Sequence, residues 1–374
     1  MRIRGAVLDR IGDPSPFAGS TPIRVTDLDL DLDGPGPTEV LVRVEAAGVC
    51  HSDLSVVDGS RPRPVPMLLG HEAAGRVVTV GSQVGGVTPG QRVVMTFQPR
   101  CGDCVGCASG GLAPCRPGSQ ANGAGVPLAG GSRLRSERGE VAHHLGVSGF
   151  ATHAVVDHRS LVPVDDDVPP AVATVLGCAV LTGGGAVLNV ATPAPGSSVA
   201  VVGLGGVGLA AAMTALALDD VRVIGVDPLR SKLAVARDLG IHETFTPDEA
   251  AARGVKADAV IEAVGRGSVF AAALDLTAPG GRTVTVGLPR ADDLVEVSPL
   301  ALVAEGRSIV GSYLGSAVPS RDIPRYVEMW RAGRLPVERL ISSTIALEDI
   351  NRAMDLLASG TELRQLITFD DEGC

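Results

Sequence analysis

Two textures of apolar and polar positions divide the chain. In the first 165 residues the local period is two: Val40, Val42 and Val44 alternate with Leu41, Arg43 and Glu45. Val77, Val78 and Val80 form a second β-prone run before Gly81. Clusters such as Asp33-Gly34-Pro35-Gly36-Pro37 separate these runs as turns should. This part is expected to be a β-rich domain. The glycine-rich stretch from Gly118 to Gly131 is expected to be loop, long enough to be functional or interface-forming.

From about Ala179 the pattern becomes βαβ. Ser197 to Val202 is a short apolar strand and Val207 to Leu218 a helix. Val221 to Val226 is the next strand, followed by a helix from Leu229 to Leu239. Ala257 to Ile261 and Arg282 to Val286 repeat the pattern around a helix from Ser268 to Leu276. Apolar strands alternating with helices predict a parallel sheet covered on both faces. Helices near Ile323 to Ala332 and Leu347 to Ala358, then a β-like run from Arg364 to Phe369, close the chain.

A length of 374 residues exceeds what one hydrophobic core supports and points to two domains. A net charge of -10 argues against a nucleic-acid partner, and an aromatic content of 2% leaves few stacking platforms for one. Val168 to Leu218 lacks any charged residue, but Pro169, Pro170, Pro193, Pro195 and many glycines interrupt it, so no membrane span is expected. Asp9 and Arg10 break any apolar leader, and a soluble cytoplasmic protein is expected.

Gly203-Leu204-Gly205-Gly206-Val207-Gly208 follows a strand and opens a helix, and Asp227 ends the next strand. In such a fingerprint Gly203 permits the turn, Gly205 admits the pyrophosphate and Gly208 lets helix pack on strand. The helix N-terminus offers unsatisfied N–H groups to phosphate. Asp227 can accept from both adenosine ribose hydroxyls and would repel a 2′-phosphate, so NAD is expected over NADP.

Cys101, Cys104, Cys107 and Cys115 sit close together in a glycine-rich segment. Four thiolates make a closed, structural zinc site; an iron–sulfur cluster and disulfides are the competing readings, the latter disfavoured without a secretion leader. Cys374 is read as an inert tail residue. Cys50, His71 and Cys178 could together supply two thiolates and an imidazole, leaving a fourth position for water or substrate. Spacing does not choose between that set and separate structural roles.

With these motifs the chain resembles the zinc-containing medium-chain alcohol dehydrogenases, in the branch of liver-type and glutathione-dependent formaldehyde dehydrogenases. The matching stretches are Cys50-His51-Ser52-Asp53, Gly70-His71-Glu72, the four-cysteine lobe, His143-His144-Leu145-Gly146, Gly177-Cys178, Gly203 to Gly208 and Arg364 to Phe369. The resemblance implies an α/β chain with a β-rich partner domain. Residues 1–179 would form a GroES-like catalytic domain carrying the structural zinc lobe at 98–116. Residues 180–313 would be a Rossmann NAD-binding domain with a doubly wound parallel sheet, and 314–374 would return to the catalytic domain.

The same likeness assigns roles. Cys50, His71 and Cys178 correspond to catalytic zinc ligands, Glu72 to a transient ligand and Asp53 to the carboxylate that orients the histidine. Ser52 corresponds to the hydroxyl that passes the substrate proton. His51 and Arg364 correspond to residues facing the coenzyme pyrophosphate, Thr182 to one beside the nicotinamide, Lys232 to one near the adenosine ribose and Phe97 to a wall of the substrate pocket. Two zinc ions per chain, NAD and a homodimer are implied. Two positions depart from the pattern: Ser55 stands where a relay histidine is frequent, and Ser119 where glutathione-dependent members carry an arginine. The implied reaction is reversible hydride transfer between a primary aliphatic or aromatic alcohol and NAD. Thiol-dependent formaldehyde oxidation and a non-catalytic NAD-binding structural protein are the alternatives, and Cys178 argues against a polyol dehydrogenase.

Overall fold

Glu39–Val49, the strand announced by the alternating valines, pairs with three neighbours and anchors the first half of the molecule. Val40, Val42 and Val44 are fully buried, but Leu41 is buried too, and it joins Ile3, Leu28, Leu134 and Val155 in a second apolar cluster. That cluster fills a closed five-stranded barrel of Arg2–Leu8, Ile23–Leu30, Leu134–Ser136, Gly139–His143 and Met67–Leu68. Burial of both faces explains why the period of two is blurred along this strand. The adjoining sheet runs Leu161–Val164, Arg92–Met95, Ala73–Val80, Glu39–Val49, Arg364–Thr368 and Ile341–Ile345, with His153–Asp157 also on Glu39–Val49.

The computed structural model describes residues 1–30 and 34–369, so Asp33 and Cys374 lie outside the described residues. Two compact units result: one of Met1–Ser109, Ala113–Cys178 and the described residues from Glu338 on, the other of Ala179–Val337 with Gly110–Leu112. Residues 314–337 therefore group with the second unit, where 314–374 was expected to rejoin the first. Close packing accounts for this. A Cβ on Gly184 would come within 2.8 Å of the Tyr326 ring, and one on Gly315 would strike the Leu181 carbonyl.

The second unit holds a six-stranded, all-parallel sheet in the order Glu243–Phe245, Arg222–Val226, Ser198–Val202, Ala257–Glu262, Thr277–Thr285, Ser308–Gly311. In chain order that is 3-2-1-4-5-6, the doubly wound arrangement that binds dinucleotides where the strand order reverses. The fingerprint glycines lie at this switch, between Ser198–Val202 and the helix Gly206–Leu216.

Among the helices that the pattern did not announce, two border the site. Arg116–Ala124 is helical within the stretch expected to be loop, with Pro117 in its first turn and Gly125 ending it at φ +70°. Gly118 is needed there, since a Cβ would lie 2.6 Å from the Pro99 carbonyl oxygen. Pro170–Ala191 is a 22-residue apolar helix, long and apolar enough by composition to cross a membrane, yet 89% of its window is buried inside the protein. Its Leu176–Val180 and Ala186–Ala191 turns are π-helical.

Candidate active site

The helix His51–Val57 begins at Cys50, and its first turn is closed by Asp53, whose Oδ2 accepts the Cys50 N–H at 3.0 Å. Asp53 Oδ1 faces His71 Nδ1 at 2.9 Å, so the ring turns Nε2 toward Cys178 Sγ, 3.4 Å away. The ligating atoms of Cys50, His71 and Cys178 lie within 4.8 Å of one another, and all three residues are buried. Cys178 comes from the π-helical turn Leu176–Val180, a local widening often found at functional sites.

Electrostatics divide the cluster. Cys50 is favoured as the thiolate, whereas the hydrogen bond to Cys50 and burial push the Cys178 thiol well above the usual range. Cys178 and the protonated His71 would each release a proton on binding a metal ion. Hydrogen bonding from Cys178 pulls Cys50 well below the usual thiol range, against burial, with Arg364 and His71 assisting. Burial opposes charge on His71, but Asp53 and Cys50 hold its pKa well above the ordinary value. A histidine steered by a carboxylate, with two thiols opposite, suits zinc with one position left open. The donor chemistry fits the expected ion.

Glu72 and Arg364 are buried beside this cluster. Arg364 Nε lies 3.3 Å from Glu72 Oε1, and its Nη1 donates to the Val49 carbonyl at 2.9 Å. The pairing of Gln365 with Val49 brings Arg364 here. Burial pushes the Glu72 carboxyl up to about 7 although Arg364 pulls it down. Gly48 makes room, because a Cβ there would collide with the Glu72 carboxylate. Ser52, His51 and Ser55 ride on the same short helix, and Ser55 Oγ donates to the His51 carbonyl at 2.8 Å.

Phe97 meets the His71 ring edge to face at 5.5 Å. Its carbonyl accepts from Asn122 Nδ2 at 2.7 Å, and neighbouring Gln98 donates to the Cys115 carbonyl at 3.1 Å and to Ser119 Oγ at 3.3 Å. The helix Arg116–Ala124 thus braces Phe97. Nothing in the sequence pattern singled out Asn122. His144 was also missed as a site residue, although its dipeptide with His143 stood among the matching stretches; its Nδ1 lies 3.2 Å from Asp53 Oδ1.

The thiols of Cys101, Cys104, Cys107 and Cys115 also gather within 4.8 Å of one another. Backbone N–H groups of Cys101, Gly102 and Cys107 donate to Cys115, Cys107 and Cys104 sulfur at 3.3, 3.4 and 3.4 Å. Such bonds favour thiolates, and those to Cys104 take it down to about 6. A closed tetrahedral ion fits four sulfurs that leave no place for substrate.

In the second unit the fingerprint shows three separate glycine roles. Gly203 sits at φ +92°, a Cβ on Gly208 would collide with the Gly203 carbonyl, and a Cβ on Gly205 would meet nothing within 4 Å. The open side of Gly205 is where a pyrophosphate would lie against the helix N-terminus. Asp227 Oδ2 accepts the Leu204 N–H at 2.8 Å and Oδ1 the Leu229 N–H at 2.9 Å, tying the fingerprint to the next strand. Thr182 is buried in Leu181–Gly185, and Lys232 is half-buried in Arg230–Asp238. Glu262, absent from the expected set, accepts from Val264 and Gly265 N–H and from the Thr285 hydroxyl, each at 2.7 Å, and fixes the loop after its strand.

Residues 36–166 match the alcohol dehydrogenase GroES-like domain family and residues 206–331 the zinc-binding dehydrogenase family. The chain is 34% identical to geraniol dehydrogenase of Castellaniella defragrans, covering 98% of this chain and 97% of that one. An alcohol dehydrogenase zinc-binding domain protein from Burkholderia ambifaria superimposes with a TM-score of 0.91 at 32% identity, covering 99% of each chain. Benzyl alcohol dehydrogenase from Acinetobacter calcoaceticus gives 0.89 at 28% identity, over 99% of this chain and 100% of that one. The protein belongs to the zinc-binding medium-chain dehydrogenase/reductase family. Zinc-dependent, NAD-linked alcohol or aldehyde oxidoreduction is the chemistry this membership and the site support.

Proposed function

We propose that this enzyme interconverts a primary alcohol and its aldehyde with NAD, and that its preferred substrate carries an apolar unsaturated group next to the carbinol carbon. The convergence of Cys50, His71 and Cys178, with the Phe97 ring edge to face against His71, carries this reading. Relatives named for geraniol and benzyl alcohol support it, since each of those molecules has a primary carbinol attached to an unsaturated carbon. When bound, zinc would supply Lewis acidity that eases loss of the alcohol proton, and NAD would accept the hydride.

This chain's residues do the rest. Cys50, His71 and Cys178 hold the ion, and Asp53 keeps His71 in the tautomer that presents Nε2. Ser52, two residues after Cys50, takes the alcohol proton and releases it toward His51. Ser55 has its own proton committed to the His51 carbonyl, so its oxygen can take part only as an acceptor. Arg364 balances the buried Glu72 charge beside Cys50. Gly203, Gly205, Gly206, Val207 and Gly208 receive the pyrophosphate, Asp227 the adenosine ribose, and Thr182 and Lys232 the two ends of the coenzyme. Soluble cytoplasmic location and a homodimer complete the proposal.

NAD reduction by purified protein should be followed with benzyl alcohol, geraniol, ethanol and sorbitol, and with formaldehyde in the presence and absence of glutathione or mycothiol. Turnover of the unsaturated primary alcohols above ethanol is expected, with NADP much poorer. Activity confined to formaldehyde plus thiol would overturn the assignment in favour of the adduct-oxidising reaction. The Phe97 wall has its own test: Asn122→Ala removes the donor to its carbonyl and should weaken kcat/KM for benzyl alcohol about fivefold, the equivalent of one lost hydrogen bond of about 1 kcal/mol. The KM for NAD should not change; an equal loss for ethanol and benzyl alcohol would argue against a specificity role.

A further inference from the structure

Asp53 is held by more than the ligand histidine. Its Oδ1 faces two imidazoles, His71 Nδ1 at 2.9 Å and His144 Nδ1 at 3.2 Å, while Oδ2 takes the Cys50 N–H. His144 is 1% exposed, and its ring meets that of His71 edge to face at 5.5 Å and 78°. Phe97 makes the corresponding contact at 5.5 Å and 80°. The ligand ring therefore has an aromatic edge contact with each of two residues and a carboxylate at its Nδ1.

The turn that presents His144 is built to hold one shape. The His144 N–H donates to Ser148 Oγ at 2.9 Å, and its carbonyl accepts from Val147 and Ser148 N–H at 3.1 and 3.2 Å. Leu145 and Ser148 both sit at φ +52°, a region costly for residues with a side chain. Such strain persists where the surrounding structure over-determines it, and it gathers around functional sites. A buried nitrogen pointed at a buried carboxylate by a strained turn has a use beyond filling space.

We propose that His144 is a positioning residue for the three-ligand site: it shares the Asp53 carboxylate with His71 and so fixes the direction in which His71 Nε2 points. The inference rests on the reading that Cys50, His71 and Cys178 hold a zinc ion. With His144 in place, Asp53 faces the Cys50 N–H and His71 Nδ1 as hydrogen-bond partners and has His144 Nδ1 in polar contact 3.2 Å from Oδ1, which limits how far the carboxylate can swing. Without it, Oδ1 keeps a single partner and His71 gains freedom to tilt away from the thiols. Outer partners of metal ligands of this kind commonly change metal affinity by 10–100-fold.

The test compares His144→Phe, which keeps the ring and loses the nitrogen, with His144→Asn, which restores an N–H donor near the Nδ1 position. Zinc content of the full-length protein, the rate at which a chelator strips the first ion, and the visible spectrum of the cobalt-substituted protein would be measured. His144→Phe should lose one of the two ions about tenfold faster than the native protein and shift the cobalt bands, and His144→Asn should recover most of both. Should His144→Phe not fold, His144→Leu, which also removes the nitrogen with a smaller apolar side chain, is read in its place with the same expectation. Native stripping rates and an unchanged spectrum in the nitrogen-deleted variant would overturn the proposal, as would an Asn variant no better than Phe. A native protein that holds a single ion, all of it in the four-cysteine site, would instead overturn the underlying zinc reading.

Discussion

Replacing Cys178 by serine is expected to lower NAD-linked alcohol oxidation by at least about 10³-fold and to reduce bound zinc from about two ions per chain to about one. The cause lies in the donor set. Cys178 Sγ stands 3.4 Å from His71 Nε2 inside a buried cluster completed, among the described residues, by the Cys50 thiol. Serine is isosteric, but its hydroxyl does not ionise at neutral pH and is a poor zinc ligand, which leaves one thiolate and one imidazole. A Lewis acid contributes several kcal/mol to a reaction of this kind, and about 4 kcal/mol already corresponds to 10³ in rate. Cys104→Ser is the informative contrast. It should also cost an ion, but its loss should appear first as lower thermal stability of the lobe. Native turnover in the Cys178→Ser protein would remove the three-residue site from the mechanism.

Legibility of the fold followed the length scale of the physics involved. The strands Ser198–Val202, Arg222–Val226 and Ala257–Glu262 are short apolar runs bounded by polar residues, and they lie close to where the pattern placed them. Local motifs were readable for the same reason: the fingerprint glycines and the four cysteines are each close in sequence, so spacing carries geometry. Glycine content misled at Arg116–Ala124 and along Pro170–Ala191, because low helix propensity masks a helix held by packing. In the latter, Gly183, Gly184 and Gly185 are helical since any Cβ would strike Val207, Tyr326 or Gly315. The return of the chain near Glu338 instead of 314 has the same origin, as those contacts tie residues 314–337 to the second unit. Of the site, the meeting of Cys178 with His71 across more than a hundred residues could not be read from spacing and was implied only by the resemblance. His144 and Asn122 could not be found from spacing, because each acts through a tertiary contact with a residue far away in sequence.

Two alanine substitutions three positions apart should separate coenzyme binding from folding. At Gly205 an added Cβ meets nothing within 4 Å, so Gly205→Ala is expected to fold with a native Tm. The methyl would stand where the pyrophosphate must approach the backbone, and NAD affinity should fall about 5–150-fold, the binding equivalent of the 1–3 kcal/mol that an intruding methyl costs. At Gly208 the added carbon would collide with the Gly203 carbonyl, a backbone atom inside the sheet–helix contact that has nowhere to shift. Gly208→Ala should therefore lower the apparent Tm, at a cost of about 1–3 kcal/mol, before coenzyme is considered. Calorimetry on the unliganded variants and NAD titration by fluorescence read the two effects apart. A Gly205→Ala protein that unfolds early would mean the open space beside Gly205 belongs to packing; one that binds NAD normally would mean the pyrophosphate does not pass there, and the dinucleotide assignment of this loop would fall with it.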